Sequence, residues 1–484
     1  GYSLKQRPSQ SARVYQLWCY ALAFIKEHAM PNPRLTKYLH TFNNDGSTVI
    51  VNCMKPRPLL IRRGSEFIIN YLKNIEAGNE TTDIRLEKVL RSHNIIVDAD
   101  ELVPSWNNSP NIKSLALYLI IDHNCNMACT YCLAGSKTYR RKQRMPLSVA
   151  KESLEKASPL ITPNNTLEIV FFGGEPLLNS PAVFDIVDFV ETQLKPKYPK
   201  IHFHYHVTTN LTVLNDDLIL LFKEYNFTIL TDIDGRKVEH NITRPFLTGK
   251  SSFDVTVKNV QKLIRHGVQV SVRCTVTSVN VDNLGQIYDY FKTLGVYSQS
   301  YPMLMPVDSD CSLVNKALFP EVQPYVDFIR KKLLVSLQDR VYLAPITEVV
   351  DQVIAARTQF FGCGLPMGYT AVVDAKGMVY PCIYLVGNKK YLLGSVFDEN
   401  PFNFSFPQLS VDNIEFCRDC KLRYLCGGGC PLSELIVKDI SIEALEYFHK
   451  VSCALAWTSF EEACWALVTG KVDQNTFARY KKKC

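Results

Sequence analysis

A chain of 484 residues is too long for one ordinary core and points to two or three domains. Hydrophobic residues at 46% and charged residues at 21% describe a globular protein; with no apolar run of membrane length and no signal peptide, the expectation is a cytoplasmic protein without a membrane partner. A net charge of +7 is mild for this size, so the Lys481–Lys483 tail reads as a solvated end rather than a nucleic-acid arm. The outlier is the count of 16 cysteines, which without a secretory signal argues for metal ligation over a disulfide scaffold.

Residues 1–112 read as a first unit. An aromatic helical segment, Val14–Ile25, precedes strands at Ser47–Val51 and Leu59–Ile61. Two amphipathic helices follow. Gly64–Ile75 carries Phe67, Ile68, Tyr71 and Leu72 on one face, and Thr82–Ser92 carries Ile84, Leu86 and Leu90. Gly78 separates them, Thr81 or Thr82 caps the second, and Ile95–Val97 closes the unit as a strand.

Residues 113–306 repeat a strand–helix pattern. Strands are expected at Leu115–Ile121, Leu167–Phe172, His202–Thr208, Phe227–Asp232, Val268–Val276 and Ser300–Pro306. Helices lie between them at Ala182–Leu194, Asp216–Tyr225, Val255–His266 and Val281–Leu294. Six such units make an α/β fold, a partial (β/α)6 TIM-like barrel with its chemistry at the carboxyl ends of the strands. After the first strand come Cys125, Cys129 and Cys132 in the spacing C-x3-C-x2-C. Three thiolates fill three irons of an Fe–S cube and leave the fourth open for a ligand. The alternative, a structural zinc loop, wants a fourth ligand that the neighbouring sequence lacks. The basic stretch from Lys137 to Arg144 reads as a solvated loop.

Later strand ends are polar. Gly173-Gly174-Glu175-Pro176 ends the second strand: paired glycines admit close backbone approach to a ligand, and Glu175 can receive an ammonium group. Thr208-Thr209-Asn210 ends the third, followed by Leu211. Asp232-Ile233-Asp234-Gly235 ends the fourth, followed by His240, Asn241 and Arg244, and Arg273 sits on the fifth.

The cysteine spacing, Tyr131 before the third cysteine and the preceding strand resemble the radical S-adenosylmethionine (SAM) superfamily. That resemblance implies a 4Fe–4S cluster on Cys125, Cys129 and Cys132 with SAM on the open iron. Tyr131 lies against the purine, Gly173, Gly174 and Glu175 take the SAM amino group, and Thr209 and Asn210 match a T-N-G stretch whose glycine is Leu211 here. Asp232 stands where relatives have a ribose-binding Ser, and Arg244 matches the carboxylate-binding Arg. For His240 and Arg273 a structural hydrogen bond is an equal alternative.

Residues 307–362 read as a linker with helices at Tyr325–Leu334 and Thr347–Ala356. From 363 to 484 the cysteines fall into order: Cys363, Gly377 and Cys382, then Cys417, Cys420, Cys426 and Cys430, then Cys453. Gly427-Gly428-Gly429 lets the backbone wrap tightly between two ligands. The pattern resembles the SPASM domain, which implies two auxiliary 4Fe–4S clusters. One is held by Cys417, Cys420, Cys426 and Cys453, with Cys464 a less well spaced substitute for the last. The other is held by Cys363, Cys382 and Cys430, with an open iron, a substrate thiolate or Cys311 completing it. Three clusters and SAM are thus the expected cofactors.

The implied reaction is hydrogen abstraction from the substrate by a 5′-deoxyadenosyl radical, with an auxiliary cluster accepting an electron afterwards. SPASM enzymes mostly modify peptides and proteins. Sulfatase-maturing relatives carry an Asp after the second SPASM cysteine, whereas Cys382 is followed by Ile383 and Tyr384. The first unit resembles a winged-helix domain that binds a leader peptide by strand addition. The expectation is therefore a maturase of ribosomally made peptides forming a thioether or carbon–carbon crosslink, with a flavodoxin- or ferredoxin-type reductant. The alternatives are a formylglycine-generating enzyme and a small-molecule enzyme. No catalytic acid or base is identified.

Overall fold

A computed structural model describes residues 34–472, apart from 63–64, 80–82, 99–113, 134–142, 309, 340, 345, 356 and 403. The helix expected at Val14–Ile25, Thr81, Thr82, most of the basic stretch and the C-terminal lysines lie outside the described residues. The chain divides into two compact units, one running to Asn52 and from Arg57 to Pro104, the other comprising Cys53–Pro56 and Ser105 onward.

The first unit contains strands β1 (Arg34–Leu35), β2 (Leu39–Asn44), β3 (Ser47–Asn52) and β4 (Leu59–Ile61), helices α1 (Ser65–Glu76) and α2 (Ile84–Ser92), and strand β5 (Ile96–Val97). Strands β2 and β3 form an antiparallel hairpin turning at Asp45 and Gly46, with φ of 49° and 67°. Two left-handed residues in a two-residue loop match the twist of the flanking strands, so Asp-Gly is the sequence that makes this turn. Strand β4 extends the hairpin, and β1 pairs with β5. Helix α2 is capped by Asp83, which accepts a hydrogen bond from the Leu86 N–H at 2.9 Å. The helices bury Tyr71, Leu72, Ile75 and Leu90 against Ile50 and Ile61. Phe67, expected inside, is 60% exposed because it falls at the margin of the Ile68–Tyr71–Leu72–Ile75 stripe.

The second unit is built on one open ten-stranded sheet. In chain order its strands are β6 (Leu115–Asp122), β7 (Thr166–Gly173), β8 (His202–Thr209), β9 (Thr228–Asp232), β10 (Val270–Arg273), β11 (Ser298–Ser300), β12 (Tyr342–Ala344), β13 (Thr370–Val373), β14 (Met378–Tyr380) and β15 (Gly394–Ser395). Their spatial order is β12-β11-β10-β9-β8-β7-β6-β13-β14-β15. Every pairing from β12 to β13 is parallel, and β14 and β15 are antiparallel additions. Among the described residues the sheet does not close. Strands buried on both faces read as continuous apolar runs, and Leu115, Leu117, Leu119, Ile120 and Ile121 of β6 are all buried.

Helices of two turns or more are α3 (Leu147–Ala157), α4 (Ser180–Phe189), α5 (Asp216–Glu224), α6 (Lys237–Thr243), α7 (Phe253–Arg265), α8 (Leu284–Leu294), α9 (Val322–Asp339), α10 (Ile346–Ala355) and α11 (Ile442–Val468). Three features differ from the expected six-strand core. Strand β11 lies earlier, at Ser298–Ser300 rather than Ser300–Pro306, and the following stretch Pro302–Val307 is loop. The expected linker contributes a parallel strand, β12. The cysteine-rich segment contributes another, β13, which pairs directly with β6.

Candidate functional site

Strand β6 delivers the first cysteines. Buried Asp122 at its end accepts hydrogen bonds from the Asn124 N–H at 2.8 Å and from Arg144 Nε at 3.0 Å. The loop is held from its other side by the Ala128 N–H to the Pro245 carbonyl (2.8 Å) and the Thr130 N–H to the Thr243 carbonyl (2.9 Å). Cys125, Cys129 and Cys132 then line one cavity of about 340 Å³. Two N–H groups already point at the Cys125 sulfur, Met127 N at 3.4 Å and Asn210 Nδ2 at 3.7 Å. Burial pushes the Cys125 thiol up to about 11. A thiol in that setting ionises on binding a metal, and donors aimed at its sulfur suit the resulting thiolate. The donor set fits an Fe–S cluster. Among the described residues no three His, Cys, Asp or Glu side chains close on a single ion.

The paired glycines serve the loop as much as a ligand. Gly173 has φ of 148°, and a Cβ there would stand 2.2 Å from the Asp122 carbonyl oxygen. At Gly174 a Cβ would stand 2.5 Å from the Asn124 oxygen. Their close approach lets the Gly174 N–H reach Asp122 O (2.9 Å) and the Glu175 N–H reach Asn124 O (2.8 Å). The Glu175 side chain is fully buried and does not line the cavity. Its carboxylate accepts from Thr209 Oγ1 (2.7 Å), the Asn210 N–H (2.7 Å) and the Leu177 N–H (2.9 Å). Glu175 thus ties the end of β7 to the end of β8. Burial pushes its carboxyl up to about 7, against those hydrogen bonds.

Thr209 and Asn210 do line the cavity. Leu211, which follows them, keeps a left-handed backbone (φ 53°) and is fully buried. The chain therefore retains the turn of a glycine while carrying a packed side chain.

The fourth and fifth strand ends form a charge cluster. Asp232 accepts from Arg273 Nε (2.6 Å) and Nη2 (3.2 Å) and from Arg244 Nη2 (3.3 Å). Burial works to raise its carboxyl, but Arg273 and Arg244 outweigh it and hold Asp232 below the usual range. The carboxylate expected to take ribose hydroxyls is thus first of all an arginine clamp on the cavity wall. Arg244 Nη1 donates to the Tyr131 hydroxyl at 2.9 Å, and Tyr131 donates to Asp234. Arg244 Nε is buried with no hydrogen-bond partner among the described residues, a donor suited to a ligand carboxylate. His240 is structural: its Nδ1 accepts from the Asp234 N–H (3.3 Å), its Nε2 meets Ser252 Oγ at 3.0 Å, and burial lowers it to about 3.

Sequence reasoning missed the opposite wall: Thr275, Pro302–Met305, Val307, Ile383 and Tyr384. Thr275 and Pro302 follow β10 and β11, so the rule that sites sit at strand ends would have found them. Ile383 and Tyr384 arrive from the cysteine-rich segment, a contact no local pattern carries. Tyr384 stands among Arg273, Cys430, Cys382 and Cys132, and burial raises its phenol.

The remaining cysteines fall into two sets. Cys417, Cys420, Cys426 and Cys453 line a second, small cavity of about 40 Å³ with Phe416, His449 and Trp457. Gly427, Gly428 and Gly429 all have left-handed φ, 67°, 83° and 75°, in the turn from Cys426 to Cys430. Cys464 is fully buried beside Cys53 and Glu461, so Cys453 is the member of this set. Cys430 is raised by burial and then by Cys363 and Cys382, which places that trio together. Cys311 accepts a hydrogen bond from Asn388 Nδ2 at 3.4 Å, and Asp308 and Asp310 are its charged neighbours.

Comparison with known proteins follows this geometry. Residues 119–291 match the model of the radical SAM superfamily. The cysteine-type anaerobic sulfatase-maturating enzyme of Clostridium perfringens is 26% identical over 339 residues, covering 67% of this chain and 90% of the relative. The serine-type anaerobic sulfatase-maturating enzyme of Bacteroides thetaiotaomicron is 22% identical, covering 63% and 80%. Among solved structures, native anSMEcpe with bound AdoMet and Cp18Cys peptide shares the fold at a TM-score of 0.61 and 22% identity, over 74% of this chain and 99% of that one. No described helix is long and apolar enough to cross a membrane.

Proposed function

The chain carries a radical SAM domain, and from that premise we propose that it oxidises a ribosomally made peptide, leaving a thioether or carbon–carbon crosslink. Bound together, cluster and SAM supply a radical able to take a hydrogen atom from a C–H bond. This chain's residues do the rest. Cys125, Cys129 and Cys132 hold the cluster. Gly173, Gly174, Thr209 and Asn210 line the same cavity and would border the SAM amino end, Arg244 would offer its unused Nε to the carboxylate, and Tyr131 would flank the purine. The Asp232–Arg244–Arg273 clamp fixes that wall, and Glu175 fixes the turn carrying Thr209 and Asn210.

One observation carries the choice of reaction. Beyond the residues assigned to SAM the cavity is bordered by Leu133, Phe172, Pro302–Met305, Val307, Ile383 and Tyr384, and the one carboxylate among its described lining residues, Asp232, is held by two arginines. Making an aldehyde from Cys or Ser requires removing the S–H or O–H proton, a task for a nearby base. A thioether must lose the same S–H proton, which a substrate thiol would give up on binding an open iron of the cluster held by Cys363, Cys382 and Cys430. An apolar pocket without a free carboxylate therefore suits a carbon radical that closes onto a second carbon or onto such a thiolate. The sulfatase-maturating relatives favour a second reading, formylglycine formation on a protein, although Cys382 is followed by Ile383 and Tyr384 rather than by the Asp those enzymes carry after that cysteine. In the first reading the unit before residue 113 binds the leader segment, the SPASM-like segment would hold two auxiliary clusters able to take up the electron, and a flavodoxin or ferredoxin would re-reduce the SAM-binding cluster.

The test is mass spectrometry of a peptide encoded beside this gene, reacted anaerobically with reconstituted enzyme, dithionite and SAM. Loss of two hydrogens with one fewer alkylatable thiol is the expected result for a thioether; loss with all thiols intact indicates a carbon–carbon bond. Conversion of a sulfatase-derived peptide to formylglycine, with adjacent peptides untouched, would replace the first reading with the second.

A further inference from the structure

The small cavity in the cysteine-rich segment contains a polar atom that its protein surroundings leave unused. His449 lies on α11 four residues before Cys453, one helical turn away on the same face. Its side chain lines the cavity with Cys417, Cys420, Cys426 and Cys453, and the residue is only 4% exposed. Nε2 is buried and has no hydrogen-bond partner among the described residues. The ring is locked by stacking on Phe416, the residue before Cys417, with centroids 4.1 Å apart and planes at 13°. Two other polar side chains of the lining are engaged elsewhere. Arg423 Nη1 donates to the Arg418 carbonyl at 2.7 Å, and Ser452 Oγ donates to Met303 Sδ at 3.3 Å.

Buried polar atoms without partners are rare in native proteins, and an imidazole fixed by stacking cannot turn away to find water. Four cysteines and one unpaired nitrogen around a single small space describe a site whose partner is an electron-rich inorganic core. We propose that His449, with its proton on Nε2, donates a hydrogen bond to a sulfur of the cluster held by Cys417, Cys420, Cys426 and Cys453, and so raises the reduction potential of that cluster relative to a site without the donor. The sign follows from charge. The reduced cluster carries one more negative charge than the oxidised one, so a hydrogen bond to sulfur stabilises the reduced form more. His449 is a positioning residue here: it takes no part in bond making, and it sets how readily this cluster accepts the electron released by the substrate. The inference rests on the reading that these four cysteines hold a cluster.

The experiment uses the full chain, reconstituted anaerobically, with Cys125, Cys129 and Cys132 replaced by Ala so that the auxiliary signals are resolved. Iron and sulfide are counted first. Loss of one cluster's iron in Cys417→Ala upholds the underlying reading, and unchanged iron removes that reading and the inference with it. Midpoints then come from electron paramagnetic resonance during a redox titration of His449→Phe, which keeps a ring against Phe416, and of His449→Gln, which keeps an N–H. In His449→Phe the iron is expected to stay and one of the two auxiliary midpoints to fall. The reduced-to-oxidised ratio at fixed potential should drop about tenfold, equivalent to about 59 mV for one electron. His449→Gln should recover part of that shift. An unmoved midpoint in His449→Phe with iron retained would overturn the proposal. Loss of that cluster's iron in both variants would also overturn it, by making His449 a ligand or a packing residue.

Discussion

Replacing Gly174 by Ala tests whether the paired glycines shape the cysteine loop. The backbone at Gly174 is ordinary, without positive φ, so the substitution acts through contact alone. Its Cβ would stand 2.5 Å from the Asn124 oxygen, 2.6 Å from the His123 oxygen and 2.7 Å from the Asn124 carbonyl carbon. Unstrained carbon–oxygen contacts begin at about 3.3 Å, so roughly 0.8 Å of overlap must be relieved. All three atoms are backbone, and no rotamer change removes them. Overpacking of this kind costs about 1–3 kcal/mol. Relief moves residues 123–124, which abut Cys125, and a displacement near 1 Å at a reacting centre costs about 100-fold in rate. The assay is SAM cleavage without substrate, followed by chromatography of 5′-deoxyadenosine, alongside iron content. The expected result is about a 100-fold slower cleavage with auxiliary iron retained. Gly429→Ala is the comparison: its Cβ meets nothing within 4 Å, φ is 75°, and the expected effect is about 1 kcal/mol of stability. Cleavage by Gly174→Ala within threefold of the parent, at full iron content, would refute the reasoning.

Three further outcomes follow from the geometry. The Glu175 carboxyl is pushed up to about 7 by burial, above its unfolded value, so its stabilising contribution is fully present below the unfolded pKa and is lost as pH rises through about 7. That loss is roughly 3 kcal/mol, and Glu175→Gln should abolish it; urea unfolding curves for variant and parent that stay parallel between about pH 5.5 and about pH 8 would contradict this. Asp232→Ala leaves Arg244 and Arg273 without their shared ion-pair partner, with Asp234 the remaining carboxylate near Arg244, and should cost roughly 3 kcal/mol, toward the low end for a broken buried pair because Asp234 remains and water still reaches part of Arg273. Calorimetry should also show SAM binding weakened at least about tenfold, and unchanged affinity would remove the clamp from the site. Leu211→Gly relieves about 1 kcal/mol of left-handed strain but empties a fully buried position worth about 2–5 kcal/mol, so a net loss of about 1–4 kcal/mol is expected in thermal melts, and a stabilised variant would show that the side chain is poorly packed.

The strands from β6 to β10 were legible because buried parallel strands write themselves as short apolar runs ending in polar residues. The cysteine sets were legible because thiol spacing is a local property of the chain. Strands β12 and β13 were not: three or four residues carry little periodicity, and their pairing joins segments far apart in sequence. The tie that Glu175 makes between two strand ends was not legible, because its partners, Thr209 and Asn210, belong to the next strand end. Ile383 and Tyr384 were noted only for the Asp they replace, and their place in the cavity lining required the fold. The hairpin signal Asp45-Gly46 was present and overlooked, and with it β2.

The pairing of β13 with β6 constrains how the protein is made. Ala116–Leu119 hydrogen-bond with Thr370–Val373, about 250 residues later in the chain. A ribosome that has finished the six expected strands has therefore emitted the cysteine loop on a strand with one bare edge. Until the downstream segment emerges, that edge is open to any passing strand, and the loop above it lacks Ile383 and Tyr384 on its far side. Cluster delivery before that moment would place iron in a half-walled, solvent-exposed cup. The cysteine-rich segment is for this reason no detachable appendage: a fragment ending before residue 363 would expose β6 along its length, and self-association rather than a smaller working enzyme is its expected fate.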